Sequence, residues 1–144
     1  MEAIPQSFEA ARKRRIELHD AMAGLETALA RPSAATDWRV DVSENLANLV
    51  GAYESHIDEV EAPTGILQDV LEDAPRLANY VDILRGDHIT VMAELARLMS
   101  AAPELEAREL RETATGILGD LVRHRQLGAD LVWDAVLLDI GGRG

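Results

Sequence analysis

The sequence predicts an all-α fold, an up-down-up-down four-helix bundle with a short additional helix between the second and third main helices. Three observations predict it. Apolar residues make up 47% of the chain but aromatic ones only 3%. Leucine, valine, isoleucine, methionine and alanine must therefore fill the core, which suits helix-on-helix packing better than a β-sandwich. Four long segments carry apolar residues at three- and four-residue steps, the spacing of one helical face. The internal prolines fall between these segments or at the start of one, where a helix tolerates them. With 144 residues the chain is read as one domain, 1–144, long enough to bury a core.

The first helix is expected over 7–30. Ser7 stands where a cap is wanted, and Leu18, Met22, Leu25 and Leu29 form the stripe. His19 lies beside that stripe. The basic run Arg12-Lys13-Arg14-Arg15 reads as a solvated helix face on so acidic a chain. Arg31-Pro32-Ser33-Ala34-Ala35-Thr36 is a loop, after which Thr36 or Asp37 can cap the second helix, with Asp41 and Glu44 a later capping pair. Its stripe is Leu46, Leu49/Val50, Tyr53, His56/Ile57 and Val60, and it ends near Glu61, before Ala62-Pro63. Residues 64–72 form the short helix, with Thr64 as cap and Ile66, Leu67, Val70 and Leu71 on its apolar side.

Pro75 opens the third main helix, whose seam is Leu77, Val81, Leu84, His88, Val91/Met92, Leu95 and Leu98. Ala101-Ala102-Pro103 is a tight connection, so the third and fourth helices are expected to be antiparallel neighbours. The last helix, about 104–140, runs Leu110, Ala114, Ile117, Leu121, His124, Gly128, Leu131, Ala135, Leu138, and Gly141-Gly142-Arg143-Gly144 stops it. Trp38 and Trp133 read as packing residues.

Composition narrows the function classes. A formal net charge of −12 repels phosphate backbones and anionic lipid, so neither nucleic acid nor a membrane surface is an expected partner. There is no cysteine, which excludes disulfides, thiol catalysis and thiolate metal sites. The charged first twenty residues hold no apolar signal region, and no uncharged run is long enough to span a bilayer, so a cytoplasmic protein is expected. A Gly-rich phosphate loop, an H-E-x-x-H motif and a serine on a sharp strand–helix turn are all missing. Binding is expected rather than catalysis. The helix surfaces leave room for a homodimer.

The four histidines carry the functional signal. His19, His56, His88 and His124 fall one per main helix, on or beside the apolar seams, and the gap within the first pair nearly repeats in the second. One histidine on a seam usually packs its body and satisfies its nitrogens locally. Burying four raises a larger demand, which one shared cation answers by taking a nitrogen from each.

His19 in R-R-I-E-L-H-D, the stretch S-H-I-D-E-V-E-A-P-T-G, the segment D-A-P-R-L-A-N-Y-V-D-I-L-R-G-D-H, and H-R-Q-L-G-A-D-L-V-W-D-A-V together resemble the hemerythrin-like, HHE cation-binding, family. The resemblance spans nearly the whole chain and rests on the order and spacing of single-histidine motifs. It implies a hemerythrin-like bundle with a non-haem iron site, mono- or dinuclear, that binds or senses O2, NO or related redox species. The family pattern carries onto His19, His56, His88 and His124. The family often has a glutamate four residues after the second histidine, where this chain has Val60. Helical geometry favours Glu59, on the face of His56, whereas the helix break and the resemblance favour Glu61. The expected metal ligands are thus His19, His56, Glu61, His88 and His124.

Further positions depart from the family. Met92 stands where a second histidine follows the third one, and Gly128 and Ala129 stand where a carboxylate follows the last. Asp130 falls on the wrong face, while Asp120 lies on the face of His124 and is a candidate supporting carboxylate. Two other classes compete with metal binding: a metal-free interaction bundle whose site has decayed, and a small-ligand carrier with a pocket beneath residues 62–74.

Overall fold

The computed structural model describes residues 6–133. Helix α1 spans Gln6–Ala30, α2 Trp38–Val60, α3 Ile66–Asp73, α4 Ala78–Ala101 and α5 Ala107–Trp133, with a 3-10 turn, Pro75–Leu77, leading into α4. Among the described residues no strand occurs and no helix is long and apolar enough to cross a membrane. Helix α1 packs chiefly on α2, α4 chiefly on α5, and α2 against α4, with α3 touching α1, α2 and α4. The expected packing of the Trp133 side chain, the helical stretch through Ala135 and Leu138, and the stop at Gly141 to Gly144 lie outside the described residues.

The stripes read from the sequence are the buried faces. Leu18, Met22, Leu25 and Leu29 of α1 are buried, as are Leu46, Leu49 and Tyr53 of α2, Leu84, Val91, Leu95 and Leu98 of α4, and Leu110, Ala114, Ile117 and Leu121 of α5. Each such leucine, valine, isoleucine or methionine contributes about 1.5–3 kcal/mol on leaving water. These residues do not form one continuous core. The larger cluster joins α1, α2, α4 and α5 around Leu25, Leu49, Tyr53, Leu95 and Leu121. A second cluster gathers Val60, Ile66, Leu67, Val70, Leu77, Val81, Leu84 and Leu131, with Phe8 against it. On α2 the break falls between Tyr53 and Val60, on α4 between Leu84 and Val91, and on α5 between Leu121 and Leu131. Each gap contains a histidine.

Helix ends differ from expectation in instructive ways. Ser7 lies inside the first turn of α1, and its hydroxyl donates to Asp69 on α3, so it ties two helices rather than capping one. Asp37 occupies the N-cap position of α2, but its carboxylate accepts from Arg31 (2.8 Å), which also reaches Asp41 (2.7 Å). Arg111 satisfies the other side of this loop. It donates to the carbonyls of Leu29 (3.0 Å) and Arg31 (3.2 Å) and stacks over the fully buried Trp38, giving partners to carbonyls that the end of α1 leaves without intrahelical ones. The cap position of α3 is Gly65, not Thr64. Helix α4 starts at Ala78 because Pro75 first closes the tighter 3-10 turn, and α5 starts at Ala107, after a turn in which Glu104 and Leu105 both donate to the Ala101 carbonyl.

Candidate metal centre

The polar layer between the two clusters is made by three of the four histidines. His88 and His124 are each only 3% exposed, and His56 lies beside them. The Nε2 atoms converge: 3.1 Å separates those of His88 and His124, and 3.4 Å those of His124 and His56. One ligand atom from each of the three lies within 4.8 Å of the others, close enough to hold one metal ion. Imidazole nitrogens that share a first-row ion, at metal–nitrogen lengths of about 2.0–2.1 Å, stand roughly 3–3.5 Å apart. Tyr53 forms one wall. Its ring centroid is 5.9 Å from all three imidazoles, stacked on His56 and edge-on to His88 and His124, and its hydroxyl donates to the Asp87 backbone carbonyl at 3.4 Å.

Two carboxylates stand behind the trio. Glu61, the C-cap of α2, places Oε2 2.6 Å from Nδ1 of His88, with its other oxygen 3.9 Å from Arg85. Asp87 places Oδ2 3.3 Å from Nδ1 of His124. A neutral imidazole carries one proton, so an Nδ1 proton held by a carboxylate leaves Nε2 with a lone pair. In that tautomer the two lone pairs face each other at 3.1 Å and repel, a geometry that a cation between them relieves and that a proton on one Nε2 would otherwise turn into a hydrogen bond. Protonating the rings is disfavoured. Burial, then the neighbouring His88 and His124 and then Arg15, push His56 down to about 3. Burial, then His124, push His88 down to about 3 against the pull of Asp87. Burial lowers His124 as well, opposed by its hydrogen bond to Asp87. Neutral imidazoles with carboxylate-backed Nδ1 atoms are the form in which histidine ligates metals. Nδ1 of His56 is buried and has no hydrogen-bond partner among the described residues.

The other expected site residues are placed elsewhere. His19 is not brought to the trio. Its side chain is 58% exposed and its Nδ1 lies 3.5 Å from Asp20. Leu18 takes the inward position on α1, and one residue further turns the side chain about 100° around the helix, toward solvent. The expectation that every histidine lines the interior is corrected there. Glu61 is at the site, on the nitrogen of His88 turned away from the trio. Glu59 instead faces Arg14, 3.9 Å away. Val60 belongs to the second apolar cluster, Met92 packs against the larger one, and Asp130 accepts from Gln126 at 3.0 Å. Asp120 pairs with Arg123 and stands beside Glu94, so it does not support His124.

Asp87 does support His124, and sequence reasoning missed it. Asp87 stands one residue before His88, about 100° around α4 from the seam, and the sequence of α4 alone does not say whether that side meets a neighbouring helix or solvent. Tyr53 was legible only as a stripe residue. The basic run of α1 also divides: Arg12 and Lys13 are exposed and Arg14 pairs with Glu17 at 3.0 Å, but Arg15 turns toward His56. No family model, curated protein or solved structure matches the chain.

Proposed function

We propose that this protein is a metal-binding helical bundle in which His56, His88 and His124 hold a single first-row transition ion, with the helices in the up-down-up-down order of the hemerythrin-like resemblance. The observation that carries the reading is the convergence of three Nε2 atoms whose partners His88 and His124 are backed by carboxylates. Three neutral imidazoles suit zinc, copper, iron or nickel. The order of the histidine motifs favours non-haem iron among these. A single ion fits better than two, because His19 faces solvent, Met92 packs against the larger apolar cluster and offers neither imidazole nor carboxylate, and Gly128 has no side chain. An iron held there would supply affinity for O2, NO or peroxide at positions the protein leaves free, and the role we assign is binding or sensing of such a species. Glu61 and Asp87 fix the tautomers and ring orientations of His88 and His124, and Tyr53 closes one side of the trio.

The test is elemental analysis of protein expressed with iron supplied and purified without chelator or His-tag. The expected result is one iron per chain. His56→Ala and His88→Ala should each abolish loading while far-UV circular dichroism stays helical. Stoichiometric metal in both variants, or a folded wild-type protein with none, overturns the site. Zinc alone would uphold the site and overturn the assignment of iron, and two ions per chain would overturn the single-ion reading.

A further inference from the structure

A cavity of about 350 Å³ lies beside the trio, with His56, His88 and His124 in its lining. Every helix gives it an apolar wall: Phe8 from α1, Val60 from α2, Leu67 from α3, Leu84 from α4 and Leu131 from α5. Its charged lining is of the opposite character to the protein as a whole. The chain holds 26 acidic and 14 basic residues, yet the cavity is lined by the half-buried Arg15 and Arg125 and, at its exposed edge, by Arg12 and the single carboxylate Glu9. Among the described residues none of these three arginines enters an ion pair. Nε of Arg125 is buried and has no hydrogen-bond partner among the described residues. On so acidic a chain, two half-buried guanidinium groups without an ion pair beside one apolar space are a local inversion of charge.

A guanidinium meets a carboxylate through paired, charge-assisted hydrogen bonds, while an apolar wall rewards a hydrocarbon body. We propose that this cavity binds a small organic carboxylate with an apolar body, its head held by Arg15 and Arg125 and its hydrocarbon part against Val60, Leu67, Leu84 and Leu131. A singly charged head suits the site better than a phosphate dianion, because Glu9 stands in the lining and the surrounding protein is strongly negative. The cavity reaches the histidines, so the ligand body lies next to the trio. The proposal rests on the cavity and its arginines, and it holds whether or not the trio carries an ion.

The experiment is calorimetric titration of the full, chelator-treated chain with sodium octanoate and with 1-octanol, which has the same tail and no charge. Octanoate is expected to saturate one site, and octanol to bind at least about tenfold more weakly, the order of effect of a charge-assisted hydrogen bond. Arg15→Gln combined with Arg125→Gln should weaken octanoate about tenfold and leave octanol unchanged, with the helical signal retained. Equal binding of octanol and octanoate, or no saturable binding of octanoate by the folded wild-type chain, overturns the proposal. The comparison of the two ligands uses wild-type protein alone, so a variant that fails to fold does not decide it. Because the titration is made without metal, its failure is separate from a failure of the metal count.

Discussion

Glu61 reaches Nδ1 of His88 and Asp87 reaches Nδ1 of His124, while Nδ1 of His56 has no such partner among the described residues. This asymmetry makes the carboxylates separable from the ligands. Carboxylates that orient a ligating imidazole typically change metal affinity by about 10–100-fold when removed. Glu61→Gln and Asp87→Asn should each therefore weaken metal binding by about that factor, read by competition with a chromophoric chelator, with helicity unchanged. Glu59→Gln and His19→Ala are the matched controls and should leave the affinity alone, since one faces Arg14 and the other solvent. The same residues predict a pH dependence. His56 is held down to about 3 by burial first and then by His88, His124 and Arg15, against 6.5 for the free side chain. Above about pH 6.5 it is neutral in both folded and unfolded chains and adds no pH dependence. Between about 6.5 and 3 the unfolded chain takes up a proton that the folded one refuses, so stability falls as pH falls. The urea midpoint of the metal-free protein should drop from pH 7.5 to 5, and His56→Gln should drop less. An equal drop in the variant would show that His56 is not held neutral by the fold.

At the scale of elements, the helices were legible because their buried faces are written in leucine and valine at helical spacing, and Leu18, Leu49, Leu95 and Leu121 all fall where the stripes put them. The start of α2 was legible, with Asp37 at the cap position, although its carboxylate bonds Arg31 of the same loop, whereas Ser7 bonds Asp69 across on α3 instead of capping α1. The site was legible along each helix but not between helices. Spacing along one chain segment tells which residues share a face, yet not which way a residue beside the stripe leans, and His19 leans outward. Asp87 acts across to α5, a relation no periodicity within α4 encodes. The α2–α3 connection shows how an element boundary positions chemistry. A Cβ on Gly65 would stand 2.4 Å from the Glu59 carbonyl oxygen and 2.8 Å from that of Val60, so the chain can pack this tightly against the end of α2 only with glycine there. Gly65→Ala must push back the segment that carries Glu61. It should cost about 1–3 kcal/mol in urea unfolding, the range of overpacking, and lower metal affinity by the same route as Glu61→Gln. Unchanged affinity in a destabilised Gly65→Ala would show that Glu61 is placed independently of this turn.

For the whole molecule, the consequence is that the polar layer interrupts the core. The larger apolar cluster lies on one side of the trio and the Val60–Leu131 cluster on the other, with His56, His88 and His124 drawn from three different helices. An ion bound by all three would link α2, α4 and α5 at the level where apolar packing is interrupted. A ligand that binds only the folded chain stabilises it by about 4 kcal/mol when its free concentration is 1,000 times Kd. Metal loading should therefore raise the thermal midpoint by roughly ten degrees or more for a domain of this size, and a chelator should reverse the shift. The gain should not be spread evenly. Amide hydrogen exchange ought to slow most in α3 and the ends of α2 and α4 around Val60 and Leu84, because the smaller cluster has less apolar packing of its own and gains more from being tied to the larger one. In His124→Ala the midpoint shift and the added protection should vanish together. Protection that rises uniformly along α1, α2, α4 and α5 would mean that the two clusters already unfold as one unit, and that the histidine layer joins them as firmly without an ion as with one.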